Sequence, residues 1–177
     1  MRGLIFALLA MILLTGCQAG RIMPAEDLAE KTYNDLGLIS EAVTRYKEDH
    51  GDFPRGDFWQ VRATLFQEGY LKAFPSPAPG IFSGQTMDYR LDTKFAKMDD
   101  NAEQDAAIAV WGLKDDFCRA FNNRYSSDHS GATIYDWEAA GKKYPGQTIG
   151  RHMKTYAIKW ESDAVDDCEV EWVIEYR

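Results

Sequence analysis

The sequence predicts an α+β domain in which a long N-terminal helix packs on an antiparallel sheet of about four strands. Three observations predict it. From Pro24 to His50 the chain carries no further proline, and Leu28, Thr32, Leu36, Ile39, Val43 and Tyr46 recur at steps of three and four, the period of one helix face. After residue 86 the period changes to two, which suits strands with one buried and one wet face. Between these regimes lies "PSPAPG" at 75–80, whose three prolines remove three backbone donors and leave an irregular connection.

Each element follows in order. Pro24 suits a helix start, where its missing N–H costs nothing, and Gly51 suits the C-cap. At 1.5 Å per residue this helix would be about 40 Å long. Gly37 is its one internal glycine and should weaken it by about 1 kcal/mol relative to alanine. The first half, Pro24 to Asp35, carries few large apolar residues and reads as a solvated stalk, while the second half reads as core. A shorter helix fits Asp57 to Glu68, with Phe58, Val61 and Leu65 on one face and Gly69 closing it. Strand patterns follow at Met87, Tyr89 and Leu91, at Tyr156, Ile158 and Trp160, and at Val170, Trp172, Ile174 and Tyr176, with Glu171, Glu175 and Arg177 on the wet side of the last. "AAIAVW" at 106–111 is apolar on both sides and suits a more central strand. In "KDDFCRAFNN", Asp115 or Asp116 can cap a short helix whose Phe117, Phe121 and Tyr125 recur every four residues.

The chain begins with a segment that reads as a signal. Arg2 precedes an apolar run from Leu4 to Leu14, long enough for a secretory leader and too short to span a bilayer. Leu14-Thr15-Gly16-Cys17 follows, and this pattern resembles the lipobox of bacterial lipoproteins. The resemblance implies that Cys17 is the lipid-attachment site, that residues 1–16 are removed, and that several acyl chains hold the protein. Each buried CH₂ contributes about 0.8 kcal/mol, and one chain alone anchors only marginally. Gln18 is not the Asp that resembles an inner-membrane retention signal, so the expected place is the cell envelope, lipid-anchored, at the outer membrane of a two-membrane bacterium.

Removing residues 1–16 from the 177 leaves 161, enough for one domain with a real core. The expected division is a leader 1–16, a lipidated tether 17–23, and a domain 24–177. Arg2 is the one charged residue lost, so 20 basic residues become 19 against 28 acidic, a balance of −9. Such a surface argues against nucleic acid and against a polybasic grip on anionic lipid. Cys118 and Cys168 would then lie in an exported, oxidising setting, where a disulfide is the default.

The order of long helix, loop with short helix, and antiparallel sheet resembles type IV pilins and the pseudopilins of type II secretion. "AVTRYKEDHGDFP" looks like the end of a pilin stem helix, "LFQEGYLKAFPSPAP" like the segment after it, and "DDFCRAFNN" like the cysteine-bearing helix of some pilins. The likeness is local over roughly 36–80 and one of layout elsewhere. One departure matters. In that family the apolar stretch follows the cleavage site and builds the filament core, whereas here it precedes Cys17. The resemblance therefore implies a pilin-like domain on a lipid, touching pilin-like or secretion-system proteins, and not a filament subunit.

No catalytic constellation is legible. His50, His129 and His152 have no partner at metal-ligand spacing, no serine lies in Gly-x-Ser-x-Gly or Ser-x-x-Lys, and no glycine loop suits a phosphate. The acidic run Asp99, Asp100, Asn101, Glu103, Asp105 fails as an EF-hand loop, which would need glycine at Gln104 and glutamate at Val110. It reads as a solvated loop, as does the turn with Asp163, Asp166 and Asp167. No cofactor and no metal are expected. The five tryptophans, Trp59, Trp111, Trp137, Trp160 and Trp172, fall mostly at core phases, but Trp137 sits outside a clear period near Tyr135 and Tyr144. That trio marks either a binding loop or the cover of a sheet edge. The expected function is a non-enzymatic accessory subunit of a pilus or secretion apparatus. The alternative is a ligand-binding or adhesive surface lipoprotein on the same scaffold.

Overall fold

The computed structural model describes residues 23–92, 106–125, 155–159 and 168–175. Cys17 and the leader, the acidic run 99–105, Tyr135, Trp137, Tyr144, His129, His152, Trp160, Tyr176, Arg177 and the turn with Asp163, Asp166 and Asp167 lie outside the described residues. The architecture is mixed α+β, with a long N-terminal helix and a small antiparallel sheet. In chain order the elements are α1 (Ala25–His50), α2 (Phe58–Gln67), a single 3₁₀ turn (Pro79–Ile81), β1 (Arg90–Asp92), β2 (Ala106–Leu113), α3 (Asp115–Tyr125), β3 (Thr155–Lys159) and β4 (Cys168–Glu175).

The long helix forms where the pattern places it, with Pro24 as the residue before its first turn and Gly51 ending it at φ 79°. That left-handed backbone is the reason for glycine, and the Gly51 N–H closes the helix on the Lys47 carbonyl at 2.7 Å. Leu28, Thr32, Leu36, Ile39 and Val43 are buried on one face, and Tyr46 is half-buried beside them. The first half is not a solvated stalk. Tyr33 stacks on Tyr125 of α3 with ring centroids 4.1 Å apart, Arg124 pairs with Glu30 at 2.9 Å, and Ala29 is fully buried. Small residues here mark close approach to a neighbouring helix, which a count of large apolar residues cannot detect.

The sheet has the hydrogen-bonded order β1–β2–β4–β3, antiparallel throughout. β2 is central, paired to β1 on one side and β4 on the other, and Ala106 through Val110 are buried. Its register with β4 slips between Val110 and Leu113, where Gly112 adopts φ 71°, a conformation that favours glycine. The Gly112 carbonyl consequently accepts from the Ser83 N–H at 2.8 Å and the Ser83 hydroxyl at 3.0 Å. β1 is shorter than the alternation 87–92 suggests: Tyr89 is fully buried but precedes the strand.

Two strand readings change. Glu169 and Glu171, with 5% and 2% of their surface exposed, are buried, so this face of β4 is not wet. Alternation reports that two faces differ, not that one meets water. In β3 the register pairs Tyr156 with Glu171 and Ile158 with Glu169, which places these positions on the face opposite Trp172. They do not share a face with Val170 and Trp172 as the separate alternations suggest, because relative phase is set by pairing.

α1 lies against the Trp172 face. Tyr33 and Trp172 have centroids 5.0 Å apart, and a Cβ at Gly37 would meet the Trp172 ring at 3.6 Å. The α3 side is fastened by a disulfide between Cys118 and Cys168, 50 residues apart. In the chain-entropy account this loop contributes about 4 kcal/mol. Asp115 and Asp116 sit in the first turn of α3 and not before it; Asp115 pairs with Arg119 at 2.7 Å, and both acids complement the helix dipole.

Candidate functional site: an aromatic groove on α2

α2 is a short helix that carries two apolar faces. Its start is fixed by reciprocal bonds. The Gln60 N–H donates to Asp57 Oδ1 at 2.9 Å, and the Asp57 N–H donates to Gln60 Oε1 at 2.8 Å. Val61 and Leu65 point into the core, and Phe58 is half-buried beside them. The chain then turns back, with the Leu71 N–H donating to the Leu65 carbonyl at 3.0 Å. This return brings Ala73 and Phe74 alongside the outer face of the helix.

That outer face carries Trp59, Arg62, Ala63 and Phe66, spaced i, i+3, i+4 and i+7. With Ala73 and Phe74 they line a groove of about 440 Å³. Trp59 is 64% exposed and Phe66 57%, the two most exposed large hydrophobic side chains among the described residues. Phe58 links the walls, with its centroid 5.0 Å from Trp59 and 5.9 Å from Phe74. The Arg62 guanidinium lies between the walls, 5.8 Å from the Trp59 centroid and 5.2 Å from that of Phe74. Rings and cation attract electrostatically at this range. Four other described cations face carboxylates, Lys31 with Asp35, Arg55 with Asp52, Arg119 with Asp115 and Arg124 with Glu30, whereas Arg45 and Lys114 donate to backbone carbonyls and Arg90 lies over the Trp111 ring. Among the described residues no carboxylate faces Arg62.

The groove is braced from behind by the end of α1. The Tyr70 hydroxyl donates to Asp49 Oδ2 at 2.7 Å, Arg45 Nη2 donates to the Tyr70 carbonyl at 2.7 Å, and His50 Nε2 lies 3.0 Å from Glu68. Tyr46 stacks on His50 at 4.2 Å and meets Tyr70 edge-on at 5.5 Å. The hydrogen bond to Asp49 holds the Tyr70 phenol in its protonated form, pushing its pKa up to about 12. Just before the return of the chain to α2, Arg55 holds the Asp52 carboxyl below its ordinary range. These contacts fix the position of the α2 exit relative to α1.

A second polar cluster lies deeper. The fully buried Tyr89 donates its hydroxyl to Asp35 Oδ2 at 2.9 Å, Asp35 pairs with Lys31, and Lys31 Nζ donates to the Ser76 carbonyl at 3.0 Å. Burial, and then the charge of Asp35, push the Tyr89 phenol up beyond any physiological pH. It holds its proton and joins the sheet entry to α1.

Of the residues singled out in the sequence, the structure brings Cys118 and Cys168 together as a disulfide. His50 ends α1 against Tyr46 and Glu68. Trp59 lies off the face of Phe58, Val61 and Leu65 and points outward from α2. Its signal lies in the spacing of Trp59, Ala63 and Phe66, a second apolar stripe beside Phe58, Val61 and Leu65. Among the described residues no three His, Cys, Asp or Glu side chains converge as a metal site, and no helix is long and apolar enough to cross a membrane. Compared with known proteins, the chain matches no family model, no curated protein and no solved structure.

Proposed function

We propose that this protein is a lipid-anchored cell-envelope component, a non-enzymatic accessory subunit of a type IV pilus or type II secretion-like apparatus. The observation that carries the reading is how the three cysteines divide. Cys17 follows an apolar leader in a lipobox-like setting, whereas Cys118 and Cys168 form a bridge suited to an oxidising compartment. A long helix laid against a small antiparallel sheet supports a pilin-like domain behind that anchor. The apolar segment precedes Cys17 and would be lost with the leader, so the mature chain would lack a filament-core helix and act as a fixed partner. Its contacts would run through α1 or a sheet edge, where unpaired backbone groups can add a strand.

Two measurements test this. Labelling with a palmitate analogue should mark the wild-type protein and not Cys17→Ser. Crosslinking in native membranes, followed by mass spectrometry, should recover a pilin-like or secretion subunit; recovery without any such component would overturn the accessory role. The exposed aromatics of α2 favour a second reading, a ligand-binding or adhesive surface lipoprotein on the same scaffold. Crosslinks to an extracellular ligand instead of an envelope assembly would select it.

A further inference from the structure

We propose that the groove on α2 docks an amphipathic helix of a partner protein that carries one carboxylate amid its apolar face. The inference needs only the folded domain and does not rest on the lipid anchor or the pilin-like reading. Trp59 and Phe66 stand seven residues apart, two helical turns or about 10 Å along the axis. That is the spacing at which a partner helix presents side chains i and i+7 on one face. Ala63 between them and Ala73 on the opposite wall leave room for close approach.

Charge selects the carboxylate. The chain as a whole is acidic, at −8, yet the centre of this apolar groove is a cation. Arg62 is half-buried between two rings, and no described carboxylate faces it. A guanidinium stacked in this way keeps its edge free for bidentate bonds to a carboxylate. Neutralising that charge inside a closed, apolar contact rewards an acidic partner and penalises a basic one.

The same lining argues against other occupants. A sugar requires several hydrogen-bonding groups, and the groove offers side-chain donors only from Arg62 and the Trp59 indole N–H. A bilayer is disfavoured by the acidic balance of the chain.

The test is a selection on the full-length protein with displayed 14-residue helices, randomised at the central position and at two flanking apolar positions. Wild type should enrich Asp or Glu at the centre between Leu, Ile or Phe. Arg62→Glu should reverse the central preference to Lys or Arg, and Trp59→Ala or Phe66→Ala should weaken the selected helices about tenfold or more. Since Trp59 and Phe66 are exposed, an unchanged thermal midpoint in each variant separates lost binding from lost folding. A selection that yields no clone dependent on Arg62, or no reversal with Arg62→Glu, overturns the proposal. It is equally overturned if Trp59 and Arg62 instead govern sedimentation with phosphatidylglycerol vesicles or dimerisation of the chain.

Discussion

The helices α1 and α2 are both amphipathic, but burial accounts for nearly all the large apolar residues of α1 and for fewer of those of α2. Along α1 the chain turns most of its apolar side chains inward: Leu36 and Ile39 are at most 1% exposed and even the small residues Ala29 and Ala42 are fully covered, with Leu38 the one large apolar side chain left exposed. Along α2 the inward face needs only Val61 and Leu65, and Trp59 and Phe66 are left in water. A short helix does not require two large aromatics on its wet face for stability. The difference teaches that the buried apolar stripe of α1 serves the fold, whereas the paired aromatics on the outside of α2 serve a contact.

The comparison can be broken or sharpened by substitution. The largest loss should come where α3 is tied to β4: replacing Cys118 and Cys168 together by alanine should cost about 4 kcal/mol in denaturant unfolding. Next comes Leu36→Ala, expected to cost about 3 kcal/mol, because α1 cannot collapse onto a cavity held open by the sheet. Removing the cap of α2 with Asp57→Ala should cost about 1 kcal/mol. By contrast Gly37→Ala should stabilise by about 1 kcal/mol, since its new Cβ meets Trp172 at an ordinary 3.6 Å. The smallest effect belongs to the outer face: Trp59→Ala and Phe66→Ala should each stay within about 0.5 kcal/mol. A loss at Trp59 equal to that at Leu36 would erase the distinction between the helices.

The brace between them also has a pH signature. The Tyr70 pKa is raised in the folded protein, so its contribution to stability is complete below the ordinary tyrosine value of 10 and is lost as pH rises toward 12. Ultraviolet titration of the phenolate should show this delayed tyrosine, and Asp49→Asn should return it toward 10. Asp52 runs the opposite way. Its pKa is depressed by Arg55, so its contribution is present above the ordinary 3.8 and fades on acidification through the lower folded value.

Much of this was legible in residue spacing. The limits of α1 and α2, the central placement of β2 and the span of α3 follow from period, proline, glycine and capping residues, all local signals. What escaped was relational. The burial of Leu28 and Ala29 depends on α3 and the 3₁₀ turn packing against the start of α1; Leu28 is the closest side chain to Gly80. The burial of Glu169 and Glu171 depends on what meets the second face of the sheet, and the phase of Tyr156 depends on its register with β4. The groove itself is relational too: Trp59 and Phe66 lie off the face of Phe58, Val61 and Leu65, and the second wall exists only because the chain returns to bring Ala73 and Phe74 beside them. Only a tally of how many faces α2 can bury would have separated Trp59 and Phe66 from the core.

The claim that organises this account is that the outer face of α2 meets a partner. Hydroxyl-radical footprinting with mass spectrometry, run on the purified protein and on intact cells, tests it most directly. Trp59 and Phe66 should oxidise readily in the purified protein and be protected in cells, while the exposed Met23 reacts alike in both. Equal oxidation of Trp59 and Phe66 in both settings would contradict it.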